Sequence, residues 1–196
     1  YFDWIRGTDK ICWEEEPRLR NELICGSNML ARGEMTLVQA RVAMWVYFSI
    51  AFVFGAILTV LVGWPVAVFG AIGFVLGYFY CATSFGYGYI GRGLGELGIF
   101  FAFGLLPVLG THYVLTGIIS PHAALASIPF CFFGALVLYN HHFSHIEVDR
   151  KAGKMSPPVV FGRERALKLG RTLLWITMAM IIVLSVFSVY PWYAAF

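Results

Sequence analysis

Long stretches without a single Asp, Glu, Lys or Arg alternate along this chain with polar segments that hold all of those residues. The uncharged stretches are five: Val42 to Leu61, Pro65 to Tyr80, Leu97 to Ile119, Pro121 to Tyr139 and Thr172 to Phe196. A helix crosses a hydrocarbon slab with about 20 residues at about 1.5 Å each, so each stretch predicts a spanning helix, the second being the shortest. Gly63, Trp64 and Pro65 part the first two, and Ser120 and Pro121 part the third and fourth. Such residues mark turns and predict two tight helical hairpins. The expected fold is an all-α, multi-spanning transmembrane helix bundle, with residues 1–196 as one domain. Gly73 and Gly77, spaced as GxxxG, predict a close helix contact inside it.

Charge tests this layout. The polar segments 1–41, 81–96 and 140–171 are separated each time by two spans, so they belong on one side. They hold 6, 1 and 7 of the 14 Lys and Arg residues. By the positive-inside rule that side is cytoplasmic. The net charge of +3 hides this asymmetry and gives no support to nucleic-acid binding. Composition agrees: 59% of residues are apolar and 13% charged, more hydrocarbon than a water-soluble globule of this size can hide. An aromatic content of 17% excludes disorder. Cys12, Cys25, Cys81 and Cys131 form no CxxC pair, which predicts free thiols. The first 41 residues lack the layout of a signal peptide, and the sequence reads as part of a longer chain.

Candidate chemistry sits in the polar segments. The first opens Tyr1-Phe2-Asp3-Trp4-Ile5-Arg6-Gly7-Thr8-Asp9-Lys10, where Gly7 should end a helix that carries Asp3 and leave Asp9 on the following turn. Two carboxylates at a membrane rim can hold a hard cation such as Mg²⁺; taken alone, the segment reads more readily as a solvated loop. The third segment contains His141-His142-Phe143-Ser144-His145-Ile146-Glu147-Val148-Asp149-Arg150-Lys151-Ala152-Gly153-Lys154. If the fourth span continues as a helix, His141, His145 and Asp149 share one stripe, and Gly153 closes the helix. Carboxylates beside cations suit a metal-bound diphosphate. A His-rich transition-metal site and a plain polar helix end are the alternatives. In the middle segment, Gly86-Tyr87-Gly88-Tyr89-Ile90-Gly91 matches GxGxxG but lacks the βαβ context of a dinucleotide site. Arg92 and Glu96 should pair or reach the cavity. His112, inside the third span, should line a pocket.

Three segments resemble one family, the UbiA-type membrane prenyltransferases, and within it the branch that prenylates 1,4-dihydroxy-2-naphthoate. They are Tyr1-Phe2-Asp3 with Gly7-Thr8-Asp9, Arg92-Gly93-Leu94-Gly95-Glu96-Leu97 with Phe103-Gly104 and Gly110 to Gly117, and Glu147-Val148-Asp149-Arg150-Lys151-Ala152-Gly153-Lys154. The resemblance implies that the five spans are helices three to seven of a nine-helix fold. It implies a Mg²⁺-dependent transfer of a prenyl or phytyl group from its diphosphate to the naphthoate or its quinone form, with loss of carboxylate, in quinone synthesis. Asp3, Asp9 and Asp149, with Glu147, would hold Mg²⁺. Arg92, Arg150 and Lys154, with His145, would face the diphosphate, and Asp3, Asp149 and Lys154 would be catalytic. His145 and Ser144 stand where the family carries a carboxylate and an Arg, a departure that the phytyl-transferring relatives share at the carboxylate. The setting implied is membrane lipid of a bacterial, archaeal or plastid-type membrane, with the site on the cytoplasmic side. A transferase acting on homogentisate or 4-hydroxybenzoate is the nearest alternative, and the Gly110 to Gly117 pattern speaks against it. A transporter or catalytically silent fragment is the other, and the chain lacks the internal repeats usual in transporters.

Overall fold

A computed structural model describes residues 1–15, 29–82, 85–191 and 193. Among them the regular structure is entirely helical. Two short helices, α1 (Phe2–Arg6) and α2 (Thr8–Glu15), open the chain, hinged at Gly7, whose left-handed φ of +90° closes α1 as its position predicts. The first hairpin follows as α3 (Leu37–Val62) and α4 (Pro65–Cys81). α3 starts earlier than the loss of charge suggests, because Thr36 and Gln39 form a reciprocal capping box. Such a box supplies partners for backbone N–H groups that a helix start leaves without any. Cap chemistry, not hydropathy, sets that boundary. α4 is too short to count with the four long apolar helices of the described residues. The Arg6 guanidinium donates to the carbonyls of Cys81 and Ala82 at 3.2 and 2.5 Å, which closes the end of α4.

The third span is one continuous rod in three pieces: α6 (Leu94–Ile99), a π-helical stretch (Phe100–Leu105) and α7 (Leu106–Thr116), preceded by the short α5 (Tyr87–Ile90). Pro107 offers no N–H to a regular ladder, and the wide turn lies just before it. This stretch packs on α8 (Pro121–His141) so closely that a Cβ on Gly104 would lie 2.3 Å from the Cα of Cys131. Gly104 is the residue that permits the contact. Ser120 caps α8 and Pro121 occupies its first turn, as expected of the second hairpin. After α9 (Ile146–Lys151) and α10 (Pro157–Phe161), α11 (Arg163–Val186) packs on α8, with the Tyr139 hydroxyl donating to Ala166 O at 2.8 Å.

Several expectations change. The last span runs Arg163–Val186 rather than Thr172–Phe196, because Gly162 at φ +78° releases the chain into a helix nine residues before the charges end. Gly73 and Gly77 make no close contact, since a Cβ on either would meet nothing within 4 Å. The two glycines face outward from the described bundle. His112 closes its own helix end through Thr116 and the Ile118 carbonyl. Cys12 is disulfide-bonded, whereas Cys81 and Cys131 are free thiols as expected; Cys25 lies outside the described residues. Whether two cysteines meet depends on Cα atoms coming within about 7 Å, which spacing along the chain does not report. Large apolar side chains such as Leu61, Leu115 and Trp175 are 73–79% exposed, and for helices of this composition the covering medium is lipid.

Candidate active site

The N-terminal helices, the loop around α5 and the segment from His142 to Pro158 meet at one end of the bundle. α2 packs on α9 through Ile11, Cys12 and Val148. The loop is tied to the third polar segment by backbone: Met155 N donates to Tyr89 O, and Arg92 N to Met155 O, each at 3.3 Å. Glycine makes that contact possible. Gly91 has a φ of +77°, and a Cβ there would fall 1.8 Å from Met155 O.

Tyr89 is the hub. Its hydroxyl donates to Asp3 Oδ1 at 2.5 Å and lies 2.7 Å from Thr8 Oγ1. Its ring sits between two cations, with Arg6 Cζ at 4.3 Å and Lys154 Nζ at 5.6 Å from the centroid, both within cation–π range. Burial, and then the neighbouring Asp3 carboxylate, push the Tyr89 phenol well above its ordinary value. It therefore stays a neutral donor. The other Asp3 oxygen takes a weak contact from the Cys81 thiol at 3.6 Å. Asp9 opens α2 nearby, and its carboxyl is raised from 3.8 to about 6, first by burial and then by the Asp3 charge, with Lys154 working against both.

A second carboxylate arrangement adjoins the first. Asp149 is 2% exposed. Burial alone would raise its carboxyl, but His142 Nδ1 at 3.2 Å and Lys154 Nζ at 3.8 Å hold it below the ordinary value. The buried Ser156 hydroxyl leans on the same carboxylate without reaching full hydrogen-bond geometry. His142 Nε2 lies 3.4 Å from Glu96 Oε1, so one imidazole faces two carboxylates, Asp149 of α9 and Glu96 at the start of the third span, without a hydrogen bond to the latter. Lys154 is the link between the halves, since it touches Asp149 and faces the Tyr89 ring.

The predicted residues therefore divide. Asp3 is held by Tyr89, Asp149 by Lys154, and Asp9 lies within the field of Asp3 and Lys154. Glu147 and Arg150 instead form a forked ion pair at 2.9 Å on the outer side of α9, both well exposed. Arg92 is exposed, held at a φ of +54°, and Glu96 pairs with His142 rather than with it. The helical stripe of His141, His145 and Asp149 does not form. α8 stops at His141, a 3-10 turn covers His142–Ser144, and His145 has φ −121° before α9 begins. Three residues per turn in place of 3.6 rotate the register. His142 takes the place next to Asp149, while His145 rests on Cys12 at 3.8 Å and on His141, with ring centroids 4.5 Å apart. Among the described residues, no group of three or more His, Cys, Asp or Glu side chains is assembled to hold a metal. Tyr89 and His142 escape a reading by spacing; the glycines at 86, 88 and 91 that bracket Tyr89 are the signal that could have pointed to it.

A bundle of long apolar helices that gathers its buried charges at one end defines an integral membrane protein. The profile of the UbiA prenyltransferase family matches residues 27–196, and the chain belongs to that family. It is similar to the 2-carboxy-1,4-naphthoquinone phytyltransferase of Synechocystis sp., with 30% identity over 133 residues, or 66% of this chain and 41% of that protein. It is also similar to the 1,4-dihydroxy-2-naphthoate octaprenyltransferase of Haemophilus influenzae, with 40% identity over 76 residues, or 39% of this chain and 24% of that protein. The chain thus spans less than half the length of the curated relatives it matches. No solved structure gives a significant match.

Proposed function

We propose that this chain carries the diphosphate-binding end of a membrane prenyltransferase that moves a prenyl or phytyl group onto 1,4-dihydroxy-2-naphthoate or its quinone form. The observation that supports the reading best is that Lys154 lies against both Asp149 and the ring of Tyr89, whose hydroxyl holds Asp3, with Asp9 near enough to feel the charges of Asp3 and Lys154. Two curated relatives named for naphthoate acceptors support the acceptor class. The site opens on the cytoplasmic side by the charge rule.

Asp3 and Asp9 fit Mg²⁺ in kind. Their mutual repulsion helps to raise the Asp9 carboxyl, which a divalent cation would relieve, and Mg²⁺ is usually bound by one or two carboxylates plus substrate phosphates. Asp149 is already held by His142 and Lys154 and would join only through the diphosphate. When bound, Mg²⁺ would neutralise diphosphate oxygens as the leaving group departs. Lys154 would pair with the same oxygens, and Asp149 keeps its ammonium aimed. Tyr89, kept protonated, fixes Asp3. The allylic carbon–oxygen bond breaks with its electrons leaving on the diphosphate. The naphthoate ring carbon that bears the carboxylate attacks the cation, and the electrons of the carbon–carboxylate bond return to the ring as CO₂ departs. Apolar helix walls keep water from the cation.

The test is pyrophosphate release by the intact protein in lipid, with Mg²⁺, a prenyl diphosphate and 1,4-dihydroxy-2-naphthoate. Release should need all three and be lost in Asp149→Ala. Release without divalent metal, or unchanged release in that variant, overturns the proposal. A diphosphate series of different lengths then reads the tail.

A further inference from the structure

A groove of about 220 Å³ lies between α8 and α11, away from the carboxylate cluster and partly open to the medium. Its walls are two facing stripes at helical spacing: Phe133, Val137 and Asn140 from α8, and Leu167, Arg171 and Leu174 from α11. The helices run antiparallel, so the groove has a polar end at Asn140 and an apolar end at Phe133 and Leu174. Arg171 is the last charged residue of the chain, about 12 Å along α11 from its first residue at 1.5 Å per residue. Among the described residues no carboxylate pairs with it.

A guanidinium at the edge of hydrocarbon calls for an anion, because an unpaired charge near low dielectric is costly. From the single cation, the single amide and the apolar floor we infer that the groove binds an anionic glycerophospholipid, with its phosphate at Arg171 and Asn140 and one acyl chain along Val137 and Leu174. Size agrees with a lipid only partly enclosed: the volume falls below the about 300–1,000 Å³ of pockets that enclose a whole small molecule. Charge also favours a phosphodiester over a diphosphate. One Arg matches one negative charge, whereas a diphosphate needs the several cations and metal of the other site. The groove is independent of the catalytic reading, and the experiment measures binding, not turnover.

Delipidated intact protein in detergent is mixed with phosphatidylglycerol or phosphatidylcholine of identical chains, and bound lipid is counted by native mass spectrometry. Phosphatidylglycerol should be retained about tenfold better, because the quaternary ammonium of phosphatidylcholine offsets the phosphate charge and sets a second cation beside Arg171, whereas phosphatidylglycerol leaves that charge free to pair. Arg171→Gln should erase the preference, while Arg163→Gln, the same charge change outside the groove, should keep it. Leu174→Trp should fill the floor and lower retention of both lipids. Equal retention by the wild-type protein overturns the inference without any variant. So does an unchanged preference in Arg171→Gln, or a protein that dimerises and retains neither lipid, which would assign the groove to a second copy.

Discussion

Gly91→Ala isolates the contact that joins the two halves of the site. Gly91 and Gly93 both hold positive φ, at +77° and +89°. An alanine at Gly93, left-handed with a ψ of −1°, costs about 1–2 kcal/mol, and one at Gly91, whose ψ of −146° lies near a region essentially restricted to glycine, costs at least as much. The surroundings differ: a Cβ at Gly93 meets nothing within 4 Å, and one at Gly91 meets Met155 O at 1.8 Å and its carbonyl carbon at 2.5 Å. Relieving that overlap requires the Met155 backbone to move. Two hydrogen bonds are then lost, Met155 N to Tyr89 O and Arg92 N to Met155 O, at about 0.5–1.5 kcal/mol each. Gly91→Ala should therefore cost about 2–5 kcal/mol and Gly93→Ala about 1–2 kcal/mol. Thermal unfolding of both variants in the same detergent, followed by scattering and tryptophan fluorescence, measures the difference. Lys154 immediately precedes Met155, so Gly91→Ala should also lower turnover where Gly93→Ala does not. Equal destabilisation by the two substitutions would refute the reasoning, because it would leave only the shared backbone strain.

Other outcomes follow from the same geometry. Tyr89→Phe removes the donor to Asp3 and should cost about 1.5–3 kcal/mol, as hydrogen bonds to charged groups do; a melting temperature equal to wild type would count against the hub. His142→Leu leaves the buried Asp149 carboxylate without its imidazole partner and should destabilise by about 1.5–3 kcal/mol, as hydrogen bonds to charged groups do, read in the same melts. Arg150→Gln breaks only the exposed pair with Glu147, so stability should change by less than about 1 kcal/mol. Asp9 gives a pH signature: its folded value of about 6 lies above the ordinary 3.8, so its contribution to stability is full below pH 3.8 and is lost as pH rises through 6. In metal-free protein, the difference in melting temperature between wild type and Asp9→Asn should favour wild type more at pH 5 than at pH 7.5. A difference that is flat across that window would show that Asp9 is not buried against Asp3.

Long uncharged runs and their Gly and Pro punctuation were enough to specify helices, hairpin turns and the side on which charge collects, because a hydrocarbon medium leaves the backbone few other solutions. Helix boundaries were less legible. Thr36 and Gln39 start α3 by side-chain capping, and α11 begins among charges that hydropathy assigns to a loop. Asp3, Asp9, Asp149 and Lys154 could be named from residue type and resemblance, yet their neighbours could not. One turn of 3-10 helix after His141 replaced one histidine by another beside Asp149. Spacing rules assume an unbroken helix, and this break depends on how α2, α9 and the Tyr89 loop pack. Tertiary structure alone decided that Tyr89 stands between Arg6 and Lys154 and holds Asp3, because side chains distant along the chain meet only once the backbones that carry them are brought together.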